Sequence, residues 1–492
     1  VTPPSNTGSV SLEISSNKVD FSTNGILFNY KMQSMVSSVS PTLGPMRGGT
    51  EVTVEGTGFV QGNAFHCRFG KNEAVLIPAT WIAPTMLRCT TPEMQKSGTV
   101  TVHVTSNHID FTAPNTASVF TFTEAAVISR FSATSGPVIG NTTVHIEGQF
   151  SWPLPTTDLL RCRFGSKDTV AQFLSPGVIV CKTPPMLASG AVAVAISLNG
   201  VNFVEATSTF LYYKNVVLSS LSPLTGSVKG GTLVKITGKH FLSGNALSSC
   251  RFGSTAVPAK IKNSTSLECI SPTSASGSVT VEISMNGIDF SASNARYRFS
   301  PQPKVTSIDP PFASMQGGAV LTIRGSHFAS TEHLSCRFGD SLVRATYLSP
   351  DALLCTAPSA TSPGMSELAI SNNGVDYSIA ETVTLEYYKD IEVGEMVPMF
   401  GPVSGGTVVT LNANHFMNTT RIMCSFNGTK VLANYLTNRN IECVVPLVSG
   451  EMNSEVMISI NGNDFSSAGM TFQHIIVPTV THLTPKVGPI HG

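Results

Sequence analysis

The chain has 492 residues, a formal net charge of zero and only 12% charged side chains, about half the usual share. That balance excludes a nucleic-acid binder, which needs a basic excess for its phosphate contacts, and an acidic disordered tail. No apolar run is long enough to span a membrane.

Residues 1–33 read as the last third of a domain, because Pro3-Pro4 aligns with Pro184-Pro185 further on. The first complete unit covers 34–124. It opens at Val36–Val39, turns at Ser40-Pro41 and Gly48-Gly49, and continues into Val52-Thr53-Val54-Glu55. That alternation predicts a half-buried strand. Short strands carrying Cys67 and Cys89 follow, then the alternating Val100–Val104 and the closing Val119–Phe122.

The same pattern returns in units at 125–214, 215–300, 301–389 and 390–474. A last segment, 475–492, reads as the first strand of a further unit. The string Cys-Arg-Phe-Gly stands at 67–70, 162–165, 250–253 and 336–339, with Cys-Ser-Phe-Asn at 424–427. From Gly48 to Gly140, Gly230, Gly317, Gly405 and Gly492 the steps are 92, 90, 87, 88 and 87 residues. A period of that size lets each unit bury a core of its own, unlike short solenoid repeats. Both ends fall inside a repeat, as expected for a window on a longer repetitive chain. No segment sustains a period of 3.6, and turn signals separate some seven short strands per unit. The expected fold is therefore all-β, a tandem array of immunoglobulin-like antiparallel β-sandwiches.

Each unit carries two cysteines: Cys67 and Cys89, Cys162 and Cys181, Cys250 and Cys269, Cys336 and Cys355, Cys424 and Cys443. One bridge inside each unit is the simplest pairing, and closing such a loop stabilises by about 3 kcal/mol in the chain-entropy model. Zinc is disfavoured, since two thiols per unit without Cys-x-x-Cys spacing make a poor site. Bridges persist in oxidising surroundings, so the expected location is extracellular or at a cell surface.

A turn recurs before the last strand of the later units, at Asn199-Gly200, Asn286-Gly287, Asn373-Gly374 and Asn461-Gly462. Asn-Gly predicts a type I′ hairpin. An acid or amide and an aromatic follow: Asp110-Phe111, Asn202-Phe203, Asp289-Phe290, Asp376-Tyr377 and Asp464-Phe465. The acid is expected to cap the turn through its own backbone rather than bind calcium, which needs six or more oxygens.

Together the Ser-Pro, Gly-Gly-Thr, Val-x-Gly-x-x-Phe, Cys-x-Phe-Gly, Cys-x-x-Pro and Asn-Gly landmarks resemble the IPT/TIG domain, the immunoglobulin-like module of plexins, growth-factor-type receptors and some transcription factors. The resemblance covers essentially the whole chain, with departures at Asn141, Ala319 and Ala413. It implies a binding or structural module with no catalysis of its own.

No His-Glu-x-x-His, phosphate-binding loop, nucleophile elbow or dinucleotide fingerprint appears. No catalytic residue, metal site or cofactor is therefore expected. The aligned His240, His327 and His415 are expected in turns, and Trp81 and Trp152 in packing. Four sequons, Asn141, Asn263, Asn418 and Asn427, are candidate N-glycosylation sites in a secreted chain.

Connections between units are short, as at Tyr212-Tyr213-Lys214 and Tyr387-Tyr388-Lys389. Stacked end to end, five such units form an extended rod of about 150–200 Å. The expected function is a structural subunit of an extracellular glycosylated fibre, such as a flagellar hair, surface filament or matrix polymer. Its partners are its own copies or other fibre subunits. The alternative is an adhesion or receptor ectodomain binding a protein or glycan ligand. A transcription-factor dimerisation domain conflicts with the paired cysteines, and an accessory module of a polysaccharide-degrading enzyme with the copy number.

Overall fold

The structure, a computed structural model, describes residues 6–71, 75–150, 158–244 and 246–491. Pro3-Pro4, Trp152 and Gly492 lie outside the described residues. Every regular element among those described is a strand. By internal contacts the chain forms two compact units. One is Val1–Val217 with Lys239–Ser249 and Ile283–Ser291. The other is Leu218–Gly238 with Cys250–Glu282 and Ala292–Gly492.

The second domain shows the architecture. Its strands run in the spatial order Val127–Phe131, Thr143–Gln149, Val178–Lys182, Lys167–Ser175, Arg161–Phe164, Gly190–Ser197, Phe203–Tyr213 and Ser135–Pro137. Alternation decides which face each strand buries: Val144 and Ile146 point inward with no exposed area, and so do Cys162 and Phe164. Strand Lys167–Ser175 pairs first with Arg161–Phe164 and then, from Ala171 on, with Val178–Lys182. One strand thus joins the two faces of the sandwich. Cys162 and Cys181 lie on those different faces and are bridged, so the disulfide staples sheet to sheet. Phe164, Phe210 and Tyr212 pack edge to face within the same core, an arrangement that adds about 0.5–1.5 kcal/mol per pair beyond area burial.

The same strand order recurs in the third and fifth domains. In the first and fourth, the joining strand is broken in two, Ile77–Pro78 with Thr80–Ala83 and Ser341–Arg344 with Thr346–Ser349, and the sandwich separates into sheets of four and five strands. In the first domain the break, at Ala79, follows Pro78, which has no N–H to give the ladder. Among the described residues each domain therefore holds eight or nine strands where the sequence pattern suggests seven. The addition common to all is a three-residue strand, Ser135–Pro137 in the second domain, that runs parallel to the last strand. Its periodicity is too short to register in sequence.

Residues 8–30 contribute one antiparallel pair, Gly8–Ser11 with Leu27–Tyr30. Between the last strand of one domain and the first of the next lie only residues 124–126 at the first junction and 389–392 at the fourth.

Candidate functional site: the hairpin at the domain junctions

The most repeated polar constellation is built on the turn before the last strand. In Ser197-Leu198-Asn199-Gly200-Val201-Asn202-Phe203, the outer residues Ser197 and Phe203 pair across the hairpin. Asn199 Oδ1 accepts the N–H groups of Val201 at 3.0 Å and Asn202 at 2.8 Å. Ser197 donates its hydroxyl to the same oxygen at 3.1 Å. Gly200 alone takes a left-handed conformation, φ +79°. The loop is therefore not type I′, which needs positive φ at both central residues. Here the asparagine stays in an ordinary conformation and its side-chain oxygen replaces a backbone acceptor, as Asx turns do. The same cap forms at Asn286, Asn373 and Asn461. It also forms at Asn107 and Asn17, where His108 and Lys18 occupy the left-handed position.

This corrects the expectation for the acid three residues on. The asparagine caps the turn, which leaves the acid free to face outward. Asn199 Nδ2 donates to Asn202 Oδ1 at 2.8 Å and to the backbone carbonyl of Leu43, in the preceding domain, at 2.9 Å. Thr50 of that domain donates its hydroxyl to Asn202 Oδ1 at 2.7 Å. Asn286 donates to Ser135 O at 2.8 Å, while Thr142 donates to Asp289 at 2.7 Å. Asn373 donates to Thr225 O at 2.9 Å, while Thr232 donates to Asp376 at 2.6 Å. Asn461 donates to Phe312 O at a longer 3.2 Å, and the residue in the threonine position is Ala319. Each hairpin thus latches onto the domain before it. Where the acceptor is a carboxylate, the hydroxyl bond is charge-assisted, about twice as strong as a neutral one. Thr50, Thr142 and Thr232 are fully buried, as are the Asn199, Asn286 and Asn373 side chains or nearly so.

Local packing explains why these residue types sit there. Gly44, Gly136, Gly226 and Gly401 lie under the latch threonines. A Cβ on each would fall 2.2–2.3 Å from Oγ1 of Thr50, Thr142, Thr232 or Thr407. In the fourth domain alone the glycine is replaced, by buried Ala313, and there the threonine is replaced too, by Ala319. The two changes compensate, since the hydroxyl's space is given to a methyl group.

Apolar contacts back the polar ones. Leu43 belongs to the second domain's core cluster. Tyr388, at the end of the fourth domain, belongs to the fifth domain's cluster, with Phe312 packed against it. Burial, reinforced by the charge of Asp289, pushes the Tyr213 phenol above its ordinary range. Burial together with Asp464 does the same to Tyr388. Both tyrosines stay neutral beneath the hairpins.

The other sequence-predicted residues fall as follows. The structure bridges Cys67–Cys89, Cys162–Cys181, Cys250–Cys269, Cys336–Cys355 and Cys424–Cys443. The cation of the Cys-Arg-Phe-Gly motif lies over the aromatic that follows the latch acid: Arg68 over Phe111 at 3.7 Å, Arg163 over Phe203 at 3.6 Å and Arg337 over Tyr377 at 5.0 Å. Lys430 serves over Phe465 in the fifth domain at 4.6 Å. The two motifs singled out separately in the sequence therefore meet, orienting the hairpin from behind. His240, His327 and His415 take left-handed conformations, φ +68°, +62° and +72°, where the first domain has Gly58. Trp81 donates Nε1–H to Phe59 O at 2.9 Å and packs on the first domain's core. Asn141, Asn263, Asn418 and Asn427 are all exposed. No group of three or more His, Cys, Asp or Glu among the described residues is placed to hold a metal. No described helix is long and apolar enough to cross a membrane.

The family model of the IPT/TIG domain matches residues 34–122, 126–212, 217–299, 303–387 and 392–474. Plexin-2 of Caenorhabditis briggsae is 25% identical over 211 residues, covering 42% of this chain and 12% of plexin-2. Fibrocystin-L of Homo sapiens is 25% identical over 348 residues, covering 69% of this chain and 8% of that protein. The chain therefore spans a small part of the length of these relatives. Among solved structures, the full extracellular region of plexin A4 aligns with 90% of this chain and 50% of its own length. The TM-score is 0.32 and the identity 12%. With a disulfide in each of five domains, bonds that persist in oxidising compartments, the protein is extracellular or exposed at a cell surface.

Proposed function

The chain belongs to the IPT/TIG domain family, and from that premise we propose that it is a non-catalytic stretch of an adhesion or receptor ectodomain. Its role is to hold a protein- or glycan-binding surface at a set distance and orientation. The observation that carries this reading is the latch itself, repeated at four successive junctions with residues from both domains. Two domains joined by a slack linker reorient freely. Hydrogen bonds from two side chains at the first three junctions and from Asn461 at the fourth, each contributing about 0.5–1.5 kcal/mol net, oppose that freedom. The likeness to plexin-2 and fibrocystin-L supports the same reading. We further propose that Asn141, Asn263, Asn418 and Asn427 carry N-glycans, since all are exposed and the surface is poor in charge. Glycosidase-dependent mass shifts on the four peptides test this.

A fibre subunit is the second reading. It draws support from the repetition itself, five like domains joined by short connections. One experiment separates the two. The whole chain, immobilised, is presented to cell surfaces and to a glycan panel, and the same material is imaged by negative-stain electron microscopy. Saturable binding by dispersed particles is the expected result. Filaments without saturable binding overturn it in favour of the fibre.

A further inference from the structure

One position at the end of each domain's last strand varies from junction to junction. It holds Thr123 at the first, Tyr213 at the second, Ser300 at the third and Tyr388 at the fourth. The register fixes the equivalence, since each lies opposite the third residue of its short parallel partner strand: Pro45, Pro137, Ser227 or Ser314. Tyr213 and Tyr388 are 4% and 8% exposed, and each feels the charge of the acid in the next domain's hairpin, Asp289 or Asp464. At these two junctions, then, a phenol lies buried against the hairpin.

The first and third junctions lack that ring. At the third the space left is only about 20 Å³, bordered by Pro301, Gln302, Pro303 and Asn372. At the first, Ala125 and Ala126 take the places of the bulkier Gln302 and Pro303, and Leu198 takes that of Asn372. A cavity of about 120 Å³ remains. Among the described residues its walls include Leu43, Thr123, Ile196, Leu198, Asn202 and Val204. Leu43, Ile196 and Leu198 are buried. Val204 makes the cavity more apolar, because Ser291, Ser378 and Ser466 stand in its place in the later hairpins. Exposed Arg47 and Glu124 lie at the solvent side. An apolar cavity of about 150 Å³ takes up benzene, so a single aromatic ring is the size that fits.

We propose that the cavity at the first junction binds a small phenol, a free molecule that takes the place of the tyrosine ring found at the second and fourth junctions. The ring lies among Leu43, Ile196, Leu198 and Val204. The hydroxyl meets the Asn202 amide, which stands where Asp289 does beside Tyr213. Once filled, this junction has the apolar backing that the second and fourth receive from their own chain. The site goes beyond the ectodomain reading, which stands whether or not the cavity is filled.

The test is calorimetric titration of p-cresol, the tyrosine side chain as a free molecule, into the whole chain and into Thr123→Tyr and Val204→Phe. Each substitution fills the cavity from a different domain, the first with the ring that the second junction already carries. Expected are saturable binding at a single site in the parent and a weakening of at least about tenfold in either variant. p-Cresol should also raise the melting temperature of the parent, as a ligand of the folded state does, and leave that of Thr123→Tyr unchanged. Absence of saturable binding by the parent, or binding of parental strength in either variant that folds, overturns the proposal.

Discussion

The junction between the third and fourth domains and the junction between the fourth and fifth use the same hairpin and differ in what it meets. At the former, Asp376 accepts the Thr232 hydroxyl at 2.6 Å, and Gly226 leaves room for it. At the latter, Ala313 and Ala319 stand in both places, so among the described residues the Asp464 carboxylate keeps only the hydrogen bond from Asn461. The second junction adds an ion pair between Arg421 and Asp309, whose side chains are about half exposed. Exposed pairs of this kind contribute about 0–1 kcal/mol. A buried hydroxyl–carboxylate bond has thus been exchanged for a methyl contact and a surface charge pair. The lesson is that the two alanines form one change: neither residue can revert alone without disturbing the other.

The largest effect expected is at that pair. Ala319→Thr alone places a hydroxyl against the Ala313 methyl and should destabilise the fourth domain by about 1–3 kcal/mol, the usual cost of overpacking. Ala313→Gly with Ala319→Thr should recover that loss and give Asp464 its missing donor. Calorimetry reads the first effect, and slower amide exchange in the 459–465 hairpin reads the second. Equal behaviour of the single and double variants would break the comparison.

Comparable in size is Thr232→Val, which should cost the third junction about 1.5–3 kcal/mol, the range for a hydrogen bond to a charged group. It should also speed amide exchange in the 371–377 hairpin. Asp464→Asn is the control. With no hydroxyl to lose, it should stay within about 0.5 kcal/mol of the parent.

The smallest effect appears only at extremes of pH, at one strand position. In the fourth domain it holds Tyr387, whose hydroxyl donates to Pro358 O at 2.9 Å. In the fifth it holds His474, buried, with Nε2 on Ser454 and Nδ1 unpartnered. Burial pushes Tyr387 up to about 12 from 10.0. The unfolded chain ionises first, so this contribution is complete below pH 10 and is lost as pH rises toward 12. Burial pushes His474 below its ordinary 6.5. Below that pH the unfolded chain takes up a proton that the folded domain refuses, so the fifth domain weakens as pH falls. His474→Phe should flatten the acid limb of a stability–pH profile and leave the alkaline limb unchanged.

Much of this architecture is legible in the chain. The period, the paired cysteines and the alternating strands follow from local spacing, because a β-sandwich core is written as period-two burial between turns. The hairpins were visible too, as Asn-Gly followed by an acid. Their conformation was not, since Asn-Gly permits both a type I′ turn and a side-chain-capped loop, and only the hydrogen bonds of Asn199 and its counterparts distinguish them. The threonine of Gly-Gly-Thr was visible as a landmark without a purpose. One signal did point to it: of the five repeats, only the fourth loses that threonine, and it also loses the glycine six residues earlier.

The residues alone therefore determined what each domain is, because the strand ladders and the disulfide that close a sandwich lie within one repeat. How the domains are joined was decided by tertiary structure. Thr142 and Asp289 are 147 residues apart in the chain and belong to different repeats. Nothing in the spacing of either motif tells that the hydroxyl of one repeat is the partner of the acid in the next.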